Sequence, residues 1–173
     1  MPQAASADLV PMRERILAVA TQMLADRGYD GTSLKMIADE VGLKKPSLLH
    51  HFPSKDALRQ AVLEDLFIGW AEVLPQILQQ TADGQDRFTL TMDATMNYFG
   101  QSRHRARLIV REILDNPDGL SARLNTSLAP WLKGFTASLS KGKRVGVVHA
   151  DLDPEAYVAH TAALALSSFA LAE

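Results

Sequence analysis

Residues 28–55 read GYDGTSLKMIADEVGLKKPSLLHHFPSK, and this stretch holds two short helical patterns with a glycine between them. Leu34, Ile37, Ala38 and Val41 recur at helical spacing, so residues 33–41 read as a short amphipathic helix. Gly42 stops it. Pro46 then suits the first turn of a second helix, where its missing N–H costs nothing. That helix, residues 46–52, is barely two turns long, with Leu48, Leu49 and Phe52 as its apolar candidates, and Pro53 ends it. Thr32 or Ser33 caps the first of the pair, and Ser54 caps a long helix that runs to about residue 80.

Upstream, residues 11–27 supply a further helix. Ile16, Ala20, Met23, Leu24 and Arg27 fall on one stripe, and Gly28 provides the stop. Downstream, residues 85–100, 103–115, 119–141 and 154–172 each read as one helix, separated by Gly, Pro, Asn and Asp. Residues 141–153 are the longest loop, and Asp153-Pro154-Glu155 is a strong helix start. The fold class is all-α: an N-terminal three-helix helix-turn-helix domain over residues 1–60, then a helical regulatory and dimerisation domain over residues 61–173.

Composition narrows the functions open to such a chain. Hydrophobic residues make up 47% and charged residues 22%, enough to bury a core. The absence of cysteine excludes disulfides, thiolate zinc sites and thiol catalysis, and fits a reducing compartment. The N-terminus lacks a basic segment followed by an apolar run. The longest uncharged stretch, residues 156–172, is interrupted by His160, Thr161, Ser167 and Ser168 and falls short of the ~20 residues of a membrane span. A cytoplasmic protein without membrane association, metal or cofactor is expected. Net charge is −2, yet residues 43–55 hold Lys44, Lys45, Lys55, His50 and His51 and no acid, a local basic edge.

Two short helices around a tight turn have one well-known use. The second enters the DNA major groove while the first braces it across the backbone. Lys44, Lys45 and Ser47 stand at the end of the second helix that meets base edges; Thr32, Ser33, His50, His51 and Lys55 lie where phosphates run. Taken singly, these residues have blander readings: a solvated Lys-Lys turn, and a histidine pair with one ring packed and one exposed. Leu34, Ile37, Ala38, Leu48 and Phe52 read as core with no part in recognition.

Gly28-Tyr29-Asp30-Gly31-Thr32-Ser33, Ile37-Ala38, Val41-Gly42-Leu43 and Leu48-Leu49-His50-His51-Phe52-Pro53-Ser54-Lys55 together resemble the N-terminal signature of the TetR family of transcriptional regulators. The resemblance covers roughly residues 12–60; beyond it only the helical layout is similar. It implies a homodimer on double-stranded operator DNA, released by a small-molecule effector. It implies base or nearby backbone contacts from Lys35, Lys44, Lys45 and Ser47, with Pro46 at the start of the reading helix, and phosphate contacts from Thr32, His50 or His51, and Lys55. Most members carry tyrosine where this chain has Leu49, which removes one phosphate anchor and implies weaker operator binding.

In the second domain, Trp70, Phe88, Met92, Met96, Tyr98, Phe99, Trp131 and Phe135 are candidates to line an effector pocket, with plain core as the competing reading. Arg103, His104, Arg105, Arg107 and Arg111 either neutralise an anionic effector or, the reading we favour, form a mostly solvated face. The small residues Ala159, Ala162, Ala163, Leu166, Ser167 and Ala170 suit close helix–helix contact in a dimer or inside the chain. Two rival functions stand beside this one. An enzyme is disfavoured because HExxH, GxSxG, GxxxxGK[ST] and glycine-rich dinucleotide motifs are all missing. A helical protein-interaction or ligand-binding module that has lost DNA binding is kept open by Leu49 and by the near-neutral charge of residues 1–66.

Overall fold

The computed structural model describes residues 10–80, 84–127 and 129–171. They form nine α-helices and no strand: α1 Met12–Arg27, α2 Leu34–Val41, α3 Lys45–His51, α4 Lys55–Gln80, α5 Gly84–Gly100, α6 Arg103–Asp115, α7 Pro117–Ser127, α8 Ala129–Arg144 and α9 Pro154–Ala170. No helix among the described residues is long and apolar enough to cross a membrane. The chain divides into two compact units, Met1–Leu66 and Phe67–Glu173, and the division falls inside α4.

In the first unit α1 packs on α2 and α2 on α3. Helix α1 buries Ile16, Leu17, Ala20, Leu24 and Ala25. The expected stripe is therefore shifted: Arg27 is exposed and Met23 half-buried, because a guanidinium stays in water while the neighbouring Leu17 and Ala25 turn inward. Ile16, Ile37, Leu48, Leu58, Val62 and Leu63 are almost wholly enclosed. Each such aliphatic side chain contributes roughly 1.5–3 kcal/mol relative to exposure, which is how α2 and α3, each of about two turns, persist despite being too short to be stable alone.

The second unit is also helical throughout its described residues. There α6 packs against α9, α5 and α7, while α8 packs against α9, α7 and α5. The single helix expected over residues 119–141 is two, α7 and α8. Pro117 and Pro130 explain the division. Each sits in the first turn of its helix, where no N–H is needed, whereas Pro130 inside one continuous helix would lose a hydrogen bond and clash with the carbonyl four residues back. Helix α8 also runs on to Arg144, so the following loop begins at residue 145 rather than 141. Asp153 caps α9 as expected, its Oδ1 accepting from the N–H of Glu155 at 2.9 Å and of Ala156 at 3.1 Å.

In the basic run at the start of α6, Arg103 is exposed, whereas Arg105 and Arg107 are engaged rather than solvated. Arg105 Nη1 donates to the Tyr98 carbonyl at 2.9 Å and its guanidinium lies 4.4 Å from the Tyr98 ring centroid. Arg107 Nε donates to the Ala170 carbonyl at 2.9 Å, at the end of α9. Helix ends leave carbonyls without intrahelical donors, and an arginine fork satisfies one.

Candidate nucleic-acid interface

Local chemistry builds the helix-turn-helix. Ser33 is the N-cap of α2, its Oγ accepting from the Met36 N–H at 3.2 Å; the hydroxyl proton is left to donate elsewhere. Gly42 ends α2 in the left-handed region, with φ 77° and ψ 27°. There the Leu43 N–H reaches back to the Ala38 carbonyl at 2.8 Å, closing the turn. Lys44 then opens α3, its carbonyl accepting from Ser47 N–H at 2.9 Å and Leu48 N–H at 3.2 Å.

The two sides of this element differ sharply. Ile37, Ala38, Val41, Leu48 and Phe52 face the core. Ser33, Lys35, Lys44, Lys45, Pro46, Ser47, His50 and His51 are all exposed, and Lys55 is half-exposed. Leu49 is half-buried at the edge of this surface. The result is an outward rim of cations, hydroxyls and imidazoles with no carboxylate between residues 43 and 55. Such a rim offers donors to phosphate oxygens and base edges on a helix narrow enough for the major groove, about 12 Å wide.

Thr32 does not join that rim. It is 2% exposed, and its hydroxyl is directed at the carbonyls of Gly28 at 2.8 Å and Met23 at 3.1 Å. The phosphate contact expected of its side chain is therefore corrected to an internal role: it ties the turn before α2 to the end of α1. Burial without those bonds would cost the hydroxyl its hydration, which is why it points inward to carbonyls.

Sequence reasoning missed a cluster at the other end of the element. The Tyr29 hydroxyl donates to Asp56 Oδ1 at 2.7 Å. Lys55 Nζ sits 3.9 Å from the Tyr29 ring centroid, and the Arg59 guanidinium 5.1 Å from it. The hydrogen bond to Asp56, partial burial and the nearby carboxylate all favour the neutral phenol, so the Tyr29 pKa rises above its ordinary 10.0. Arg13 similarly lies over Phe52, 5.3 Å from the ring centroid. The available signal was Tyr29 itself, an aromatic in a turn with cations 26 and 30 positions away, too far apart in sequence to be read as neighbours.

Of the effector candidates, Trp70 and Phe99 come together with Tyr98. Ring centroids are 5.1 Å apart for Trp70–Phe99 and 5.3 Å for Trp70–Tyr98. Trp70, Phe99 and Phe135 are buried, and Met92 is half-buried. Met96 is 47% exposed, at the solvent edge of the α5 stripe that turns Thr95 and Phe99 inward, so it does not line an interior site. The Trp131 and Phe88 side chains lie outside the described residues. Among the described residues no group of three or more His, Cys, Asp or Glu side chains is placed to hold a metal ion.

Residues 16–62 match the family described as bacterial regulatory proteins, tetR family. The chain is 32% identical over 97 residues to the HTH-type transcriptional activator FasR of Mycolicibacterium smegmatis, an alignment covering 56% of this chain and 44% of FasR. The chain thus spans less than half the length of that relative. It is 24% identical over 160 residues to the HTH-type transcriptional repressor DhaR of Mycobacterium sp. strain GP1, covering 84% of this chain and 74% of DhaR. Its fold is similar to that of AibR, solved in complex with isovaleryl coenzyme A and operator DNA, with a TM-score of 0.78, 20% identity, and coverage of 94% of this chain and 88% of AibR. The family match starts in α1 and ends in α4, so it encloses the helix-turn-helix: over residues 16–62 the chain is similar to the tetR family of bacterial regulatory proteins.

Proposed function

We propose that the protein is a cytoplasmic, homodimeric transcriptional repressor that binds a specific operator through α2 and α3 and is released by a small-molecule effector. The observation that carries this reading is the division of α3, with Leu48 enclosed in the core and Lys44, Lys45, Ser47, His50 and His51 presented to solvent without an intervening acid. Lys35, Lys44, Lys45 and Ser47 then meet base edges or nearby backbone, while Ser33, His50 or His51, and Lys55 take phosphates, with Pro46 starting the helix that enters the groove.

Two recognition helices must enter successive major grooves about 34 Å apart, which calls for a two-fold dimer. Helix α9 supports one: Ala159, Ala162 and Ala163 are exposed at helical spacing, and Leu164, on another side of the helix, is 69% exposed, so α9 keeps apolar surface open among the described residues. Ala170, by contrast, is internal. Trp70, Phe99, Met92 and Phe135 supply an apolar lining for an effector, and AibR provides a precedent for a ligand with an apolar acyl part. An effector that binds one dimer conformation more tightly shifts the population away from the DNA-binding one, by no more than its difference in affinity between the two.

The test is fluorescence anisotropy with a labelled duplex taken from the DNA upstream of the protein's own reading frame, at two salt concentrations and against a scrambled duplex. Binding that prefers the upstream duplex, weakens steeply with salt and drops on Lys45→Ala is the expected result. No binding to any duplex at low salt would replace this reading with a protein-interaction module.

A further inference from the structure

We propose that Tyr29 is a positioning residue for DNA binding: its ring face gathers Lys55 and Arg59 into a paired phosphate anchor at the start of α4. The inference rests on the DNA-binding reading above and adds to it both the ring and Arg59.

Lys55 and Arg59 are four residues apart on one helix, so they share a face and repel one another. Nevertheless both cations lie within the ~6 Å at which a ring quadrupole attracts a cation, at 3.9 Å and 5.1 Å from the same centroid. The Asp56 carboxylate, held by the Tyr29 hydroxyl at 2.7 Å, lies beside the two cations and offsets part of their repulsion. That arrangement suits an incoming phosphate, which relieves the repulsion between the cations as it binds. A lysine has a long flexible stem whose ordering costs binding energy. A ring that holds the ammonium in place beforehand removes part of that cost.

Anisotropy of the full chain on the same labelled upstream duplex tests this. Tyr29→Leu removes the ring and is expected to weaken binding roughly two- to fivefold per half-site, the range of an exposed cation–π contact. Tyr29→Phe keeps the ring and is expected to stay within about twofold of wild type. Pentafluorophenylalanine at position 29 keeps the shape but reverses the sign of the ring face; it should behave as Tyr29→Leu does, and it serves if Tyr29→Leu loses its helical circular dichroism. In a Lys55→Gln/Arg59→Gln background all three changes should have no further effect. A loss of equal size in that background would make Tyr29 merely structural and overturn the proposal, as would unchanged or tighter binding by Tyr29→Leu on the otherwise wild-type chain. Failure of the wild-type chain to bind any duplex would remove the DNA-binding reading, and this one with it.

Discussion

Thr32 and Ser33 are neighbours with opposite fates. Ser33 caps α2 from the surface, whereas Thr32 sends its hydroxyl to two backbone carbonyls in the core. Thr32→Val keeps the shape and removes those bonds, so it should cost about 1–3 kcal/mol, read as a lower Tm. The salt dependence of DNA binding should not move; a reduced salt slope at unchanged Tm would return Thr32 to the phosphate contacts. Leu49 is half-buried beside the exposed rim, and Leu49→Tyr adds a hydroxyl there. Operator affinity should rise by about 0.5–1.5 kcal/mol, and equal or weaker affinity would dismiss the idea of a missing anchor. Tyr29 carries a pH signature. Its folded pKa lies above the unfolded value near 10.0, so its contribution to stability is complete below that value and fades as pH rises through the folded pKa. Wild type should therefore lose stability relative to Tyr29→Phe only at strongly alkaline pH, in parallel denaturant titrations.

Helices as short as α2 and α3 depend on their punctuation. Two glycines there act for different reasons. At Gly42 the backbone is left-handed, with φ 77°, and a Cβ would meet nothing within 4 Å. Gly42→Ala therefore carries only the conformational penalty, about 1–2 kcal/mol. At Gly31 the obstacle is contact: a Cβ would run into the Arg27 carbonyl at the end of α1. Backbone must move, and Gly31→Ala should cost about 3 kcal/mol, the upper end of the overpacking range. Thermal melts of the two variants will rank them, and a milder Gly31→Ala would show that the turn yields easily. The start of α2, its stop at Gly42, the cap at Ser54 and the start at Asp153 were all legible because each is decided by residues within a few positions. The split between α7 and α8 was missed although Pro130 was in view, since apolar spacing alone carries a helical pattern straight across a proline.

For the whole molecule, α9 holds the largest open question of assembly. Leu164 contributes little to the chain's own core at 69% exposure. On the proposed dimer reading, Leu164→Glu should keep the helical content of the chain while shifting sedimentation from dimer to monomer, weakening operator binding and removing any concentration dependence of Tm. A dimer that survives this change would place the interface elsewhere. By itself the sequence determined the all-helical class, the helix-turn-helix and its outward polar residues, because helix periodicity, caps and prolines act over a few residues along the chain. Tertiary structure alone decided that Thr32 faces inward, that Met96 stays at the surface, that Arg105 and Arg107 are engaged rather than solvated, and that Tyr29 receives Lys55, Arg59 and Asp56. Those outcomes depend on which side chains packing brings together across intervals of up to 63 residues, and no local pattern encodes such a meeting.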